Sequence, residues 1–132
     1  MIKRTYDLWH GEIVVAIHCM ESEFGNFTGF INSNQFNNRL KFVVFLVETN
    51  EMNANTFPMN YLRNIAVDYV RTSNYLVLDM DEWISPSLES EINKIPLKLL
   101  EHEKNAIVIP LMIMDTFRVS SYCCSLEECI EM

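Results

Sequence analysis

The chain has 132 residues, 49% of them hydrophobic, which suits one globular domain with a buried core. Its net charge is −8 and its ten lysines and arginines are scattered, so direct binding of nucleic acid is disfavoured. The longest apolar runs, 42–47 and 106–114, fall far short of the roughly 20 residues that cross a bilayer, so we expect no transmembrane segment in this chain. The first residues also lack the pattern of a signal peptide, and we expect either a cytosolic protein or part of a longer one.

In the first part of the chain, two apolar runs predict strands that are buried on both faces of a parallel sheet. Residues 13–18 and 42–48 are largely apolar and rich in β-branched or aromatic side chains. The segment from Glu21 to Phe36 lies between them and is compatible with a shorter helix. These residues therefore predict a strand, a helix and a second strand.

The strongest helical signal follows the second run. Apolar side chains recur at helical spacing from Met59 to about Arg71. Thr56 can cap this helix, and Pro58 suits its first turn because proline lacks only an N–H that is unpaired there. The pattern predicts an amphipathic helix.

The rest of the chain predicts two more strands around a broken helix. Residues 75–79 and 106–112 are apolar runs like the first two. Between them, residues 87–104 have helical character, but Pro96 removes a backbone donor and should split or kink that helix. Residues 119–132 lose the pattern and predict a peripheral C-terminal tail.

The alternation of strands and helices predicts the α/β class, with a mainly parallel sheet flanked by helices. We expect one core over residues 1–118, followed by the tail at 119–132. In such sheets ligands bind beyond the carboxyl ends of the strands, so polar residues directly after an apolar run are the place to look for a site.

A pair of aspartates lies at the end of the predicted strand, directly after the apolar run 75–78. In a strand, residues two apart point the same way, so Asp79 and Asp81 would present two carboxylates to one point while Met80 faces the other side. Two convergent carboxylates suit a hard divalent cation such as Mg²⁺ or Mn²⁺, which also binds phosphate oxygens of a substrate. The plainer interpretation is that solvated acids simply end a strand.

Three classes of protein place acids at such a strand end. A nucleoside triphosphatase needs a glycine-rich phosphate loop, which none of the three glycines forms. A phosphatase with an aspartyl nucleophile needs an activated first aspartate and usually a small hydroxyl residue where Trp83 stands. The third class is the nucleotide-sugar glycosyltransferases, in which aspartates hold a metal and the metal holds the diphosphate.

The helix before the aspartates favours the third class. The run FPMNYLRNIA at 57–66 resembles the family-49 glycosyltransferases, the group related to the dystroglycan-modifying glucuronyl- and xylosyltransferases, whose corresponding helix leads into a strand that ends in Asp-x-Asp. The WHG at 9–11 is similar to that family's Trp-x-Gly, and residues 106–110 resemble its later strand ending in proline. The most specific element is the pair Arg63-Asn64 together with the two aspartates at the family spacing.

The resemblance implies an incomplete GT-A (Rossmann-like) core that transfers a sugar from a UDP-sugar donor to a glycan or glycoprotein acceptor. It also implies Mn²⁺ (or Mg²⁺) between the protein and the diphosphate, with Asp81 as a direct ligand and Asp79 on the metal or the donor. Arg63 and Asn64 are the further cofactor-binding candidates. No catalytic residue is assigned.

The chain also departs from the family pattern. The family has a strand and helix before the position of Trp9 and a long C-terminal half with acceptor contacts, a catalytic acid and a late metal histidine. Glu82 and Trp83 stand where apolar residues usually follow the aspartates. We therefore expect a fragment or truncated form of an enzyme, with a catalytically inactive binding or interaction domain as the alternative.

The sequence gives two different indications of the cellular location. The resemblance implies the Golgi or secretory pathway, whereas this chain shows no signal or anchor. Asn26-Phe27-Thr28 is a glycosylation sequon, which by itself indicates a secretory compartment only weakly because such triplets are frequent in an asparagine-rich chain.

Overall fold

Within the residues that the structure describes, two parallel strands form a sheet. The computed structural model describes residues 2–48, 57–102 and 104–109. Strand β1 (Ile13–Met20) pairs with β2 (Leu40–Val47), with Ile13 opposite Leu40 and Met20 opposite Val47. The helices of the described residues are α1 (Ile2–Leu8), α2 (Phe24–Asn34), α3 (Met59–Asp68), α4 (Leu88–Ile92) and α5 (Leu97–Leu100), with a short 3-10 helix, Glu21–Glu23, directly before α2.

The described residues form two compact units. Residues 11–48 and 57–77 make up the first, which holds β1, α2, β2 and α3 and is called the sheet unit below. Residues 2–10, 78–102 and 104–109 make up the second, which holds α1, α4 and α5 and is called the turn unit.

In the sheet unit, helices cover both faces of the sheet. Phe42 and Phe45 lie three residues apart in β2 and so project from opposite faces. The Phe42 ring meets Phe27 of α2 edge-on, with 5.4 Å between centroids. The Phe45 ring meets Tyr61 of α3 in the same way, also at 5.4 Å. Helices α2 and α3 therefore pack on opposite faces of the sheet.

The core of the sheet unit consists of a few side chains from the strands and α3. Cys19, Leu40, Val47 and Leu62 each expose 7% of their surface or less. Removing such side chains from water is the main favourable term for folding. Leu62 is the buried residue of α3, and it joins that helix to the strands beneath it.

An ion pair lies at the start of the sheet. The Lys41 ammonium is 2.9 Å from a carboxylate oxygen of Glu12, directly beside the first register pair. The hydrogen bond from Lys41 favours the ionised acid and lowers the pKa of Glu12 below its usual 4.5. The pair is exposed to solvent, so it positions the strand ends more than it stabilises them.

The first strands and the strongest helix are confirmed. The predicted strands at 13–18 and 42–48 are observed as β1 and β2. The helix predicted from Met59 is α3, which ends at Asp68 rather than Arg71, and the helix within 21–36 is α2. The proposed cap, Thr56, lies outside the described residues. The helix predicted over 87–104 is split before Pro96, as expected, into α4 and α5.

The predicted strands at 75–79 and 106–112 are wrong for the residues that the structure describes. The chain forms no strand over 75–79 or 106–109, while 110–112 lie outside the described residues. Tyr75 is 57% exposed and Val108 is 87% exposed. Apolar and β-branched residues favour a strand, but a strand also needs a neighbour that pairs its backbone N–H and C=O groups. In the described part of the chain these two runs have none.

The predicted class is confirmed: a parallel sheet flanked by helices forms a partial α/β, Rossmann-like arrangement. The core boundary at 118 stays a prediction, and the predicted tail at 119–132 lies outside the described residues. Among the described helices, none has the length and apolar character needed to cross a membrane.

Candidate functional site

The two predicted aspartates lie in a tight turn. The backbone N–H of Asp79 donates to a carboxylate oxygen of Glu82 at 2.8 Å, and the N–H of Glu82 donates to the carbonyl of Asp79 at 3.1 Å. These reciprocal bonds close residues 79–82, which we call the acid turn. Met80 and Asp81 occupy its two corner positions and are exposed, whereas Asp79 is half-buried.

The acid turn differs from the strand end that the sequence predicted. A shared direction for Asp79 and Asp81 was expected from the two-residue period of a strand, and that expectation is wrong because this segment is not a strand. Turn geometry places Asp81 at an exposed corner instead. The Glu82 carboxylate closes the turn by accepting a hydrogen bond from the Asp79 amide.

The other two predicted site residues lie on α3. Arg63 is half-buried and its Nε is fully enclosed, while Asn64 is exposed. The structure therefore brings together Asp79 and Asp81 in the turn unit, and Arg63 and Asn64 in the sheet unit. A direct action of Arg63 on the aspartates stays a prediction.

Two contacts in the turn unit were not predicted from the sequence. The Arg4 guanidinium lies over the ring of Trp83, 4.9 Å from its centroid, which is a cation–π contact. Glu89 accepts a hydrogen bond from the backbone N–H of His10 at 3.1 Å, and the same oxygen lies 2.6 Å from the His10 ring Nδ1. These contacts join Arg4 of α1 and the nearby His10 to Trp83 and Glu89, which follow the acid turn in the chain.

The sequence contains a pattern that predicts α1. Ile2, Tyr6 and Trp9 recur at helical spacing, so this stretch is amphipathic although it is short. That signal predicts the helix, but nothing in the spacing indicates that Arg4 contacts Trp83, because the two residues are far apart in the chain.

Binding of a divalent cation at the acid turn stays a prediction. Mg²⁺ and Mn²⁺ bind oxygen ligands, and Mg²⁺ commonly uses one or two carboxylates together with waters and substrate phosphates. Among residues 2–48, 57–102 and 104–109, no group of three or more His, Cys, Asp or Glu side chains is placed to hold a metal ion. Asp79 and Asp81, the two carboxylates predicted to bind such a cation, both belong to the acid turn, in which Glu82 accepts a hydrogen bond from the Asp79 amide.

The sequence matches a known protein family. The sequence pattern of the family described as glycosyltransferase for dystroglycan matches residues 25–118, which is more than half of the chain. The matched stretch includes α3 with Arg63 and Asn64, and it includes the acid turn. No curated protein and no solved structure gives a significant match.

Proposed function

The chain belongs to the family of glycosyltransferases for dystroglycan, and from this membership we propose that it binds a UDP-sugar donor through a divalent cation and serves transfer of the sugar to a glycan or glycoprotein acceptor. The observation that carries the proposal is the family match over residues 25–118, which holds both the acid turn and α3. The function is thus glycosyltransferase-like, and the donor, acceptor and metal are what we add.

Each predicted site residue has a role in this proposal. Asp81, exposed at the corner of the acid turn, binds Mn²⁺ or Mg²⁺. Asp79 binds the same ion or the donor ribose. Arg63 orients the aspartates or binds the donor, for which a guanidinium is well suited because it pairs with both carboxylate and phosphate oxygens. Asn64, exposed on α3, donates or accepts hydrogen bonds with the donor.

The reaction places specific demands on these residues. In sugar transfer the bond from the sugar C1 to the diphosphate breaks, a bond from C1 to an acceptor oxygen forms, and the acceptor hydroxyl loses its proton. A divalent cation bound with the donor would stabilise the negative charge that develops on the leaving diphosphate. The carboxylates and Arg63 contribute by holding the donor in one orientation, and such positioning supplies a large part of catalysis.

Two further parts of the proposal concern location and extent. We place the protein in the Golgi or secretory pathway, as the family membership suggests. We also retain residues 1–118 as the glycosyltransferase-like core, a boundary that coincides with the end of the family match.

A donor screen tests the proposed function. Binding of several UDP- and GDP-sugars is measured by calorimetry with and without Mn²⁺, and donor hydrolysis is followed by release of the nucleotide, with ATP as the comparison ligand. We expect Mn²⁺-dependent binding of at least one UDP-sugar. Metal-dependent binding of ATP together with failure of every nucleotide sugar would overturn the proposal. Donor binding without transfer to any glycan would favour the alternative of an inactive binding domain.

A further inference from the structure

The N-terminal turn of α2 contains a complete glycosylation sequon. Asn26-Phe27-Thr28 is the only Asn-x-Ser/Thr triplet in the 132 residues. We propose that Asn26 is a modification site that carries an N-linked glycan in this protein. The inference rests on the secretory location proposed above, and it is independent of whether the protein transfers sugar.

The folded chain leaves the acceptor side chain of the sequon at the surface and packs its middle residue inward. Asn26 is exposed in the first turn of α2. Phe27, the middle residue, packs inward and meets Phe42 of the sheet with 5.4 Å between ring centroids. The Thr28 hydroxyl donates to the carbonyl of Gly25 at 2.9 Å. The middle residue thus anchors the helix to the sheet while the acceptor asparagine stays at the surface.

The surface around Asn26 has room for a sugar. Gly25 precedes it, and Gly29 lies one helical turn further along, so Asn26 and Gly29 are neighbours on the helix surface. A Cβ placed on either glycine would meet no atom within 4 Å. Phe30, four residues after Asn26, is 39% exposed and offers an apolar ring beside this space. The surface directly beside Asn26 is therefore open, and Phe30 offers an apolar ring next to it.

The chemistry of the modification is a transfer from a lipid-linked oligosaccharide diphosphate. The side-chain amide nitrogen of Asn26 forms a bond to C1 of the oligosaccharide, the bond from C1 to the lipid diphosphate breaks, and the amide nitrogen loses one proton. The host cell's glycosylation enzyme supplies the catalysis, and the chain supplies the sequon.

The glycan lies away from the predicted donor residues of the same unit. Helix α2 packs on the Phe42 face of the sheet and α3 packs on the Phe45 face. Arg63 and Asn64 belong to α3, so a glycan on Asn26 extends from the opposite side of the sheet. We therefore expect the glycan to leave the proposed contacts of Arg63 and Asn64 with the donor unchanged.

The test is expression of the full chain, behind a cleavable secretory leader, in eukaryotic cells that perform N-glycosylation. The secreted protein is treated with peptide N-glycosidase and compared by electrophoresis, and Asn26 is analysed by mass spectrometry, because the enzyme converts a glycosylated asparagine to aspartate. We expect the wild type to lose mass on treatment and residue 26 to be recovered as aspartate.

Matched variants make the result specific. Asn26→Gln and Thr28→Ala should abolish the mobility shift, whereas Thr28→Ser should retain it, because serine also completes the sequon. Asn32→Gln, an exposed asparagine of α2 outside any sequon, should behave like the wild type. Circular dichroism of the variants checks that they fold. Secreted wild-type protein with unmodified Asn26 would overturn the proposal, as would a shift that survives in Asn26→Gln.

Discussion

The sheet unit and the turn unit are ordered by different interactions. In the sheet unit, β1 and β2 pair along eight residues each, and helices pack on both faces. In the turn unit, α1, α4 and α5 have seven, five and four residues, lengths at which helices are marginal without tertiary support. Its order rests on a few side-chain contacts, chiefly Arg4 with Trp83 and His10 with Glu89, and on one buried side chain, Ile84.

This difference bears on where function resides. Binding residues are often carried by irregular segments that a more regular scaffold positions. Here the predicted metal ligands lie in the irregular unit and the predicted donor residues Arg63 and Asn64 lie on a helix of the regular one. The stability of the sheet unit and the geometry of the acid turn are therefore separate requirements, and they can be perturbed separately.

Hydrogen exchange should show the largest difference, which is expected between the paired strands of the sheet unit and the apolar runs that form no strand in the described residues. Opening paired strands requires sub-global unfolding, so the hydrogen-bonded amides of β1 and β2 should exchange about 100-fold more slowly, or slower still, than those of 75–78 and 106–109. Residue-resolved exchange measured by NMR or by mass spectrometry checks this. Equal protection of 75–78 and β1 would mean that this run is paired as a strand and would contradict the structure.

Truncation of the core of the sheet unit should have the next largest effect. Leu62 is 5% exposed and is the buried residue of α3, so Leu62→Ala should lower the free energy of unfolding by about 2–3 kcal/mol. The measurement is urea unfolding followed by circular dichroism. Asp68→Ala, at an exposed position of the same helix, should change the free energy by no more than about 0.5 kcal/mol. A similar small change in both variants would show that α3 does not depend on its contact with the sheet.

Loss of one contact in the turn unit should have the smallest effect. Trp83 is 46% exposed, and a cation–π contact at such a site contributes about 0.5–1 kcal/mol, so Arg4→Ala should destabilise the turn unit by that amount. Limited proteolysis and urea unfolding report the loss, and Arg4→Lys should restore part of it. Lys3→Ala, the exposed neighbour in α1, serves as the control. If Arg4→Ala and Lys3→Ala are indistinguishable, the contact with Trp83 does not order this unit.

The sequence predicted β1, α2, β2, α3 and the split before Pro96 well because these signals are local or mutually supporting. The two apolar runs at 13–18 and 42–48 are adjacent strands joined by one helix, so each supplies the partner that the other needs. The spacing from Met59 predicted α3, and the split before Pro96 follows from the covalent structure of proline. In each case the outcome depends on residues close together in sequence.

The run from Tyr75 and the acid turn were harder to predict from composition and spacing. The run from Tyr75 has the composition of a strand, yet composition does not reveal whether another strand is available to pair with it. The acid turn depends on a hydrogen bond that the Asp79 amide donates to the Glu82 carboxylate. Such a local bond to a side chain competes with the extended backbone that a strand needs. The site residues themselves were suggested by the family motif, whereas their geometry came only from the structure.

The most direct test of the central claim is Mn²⁺-dependent binding of UDP, measured by calorimetry on the wild type, on Asp81→Asn and on Asp68→Asn. Asp81 is the proposed metal ligand at the corner of the acid turn, and Asp68 is an exposed aspartate at the end of α3. We expect the wild type and Asp68→Asn to bind UDP only with Mn²⁺, and Asp81→Asn to bind at least about tenfold more weakly, a loss of about 1.4 kcal/mol. Equal binding by all three proteins, or no Mn²⁺-dependent binding by the wild type, would contradict the assignment of Asp81 and with it the proposed donor site.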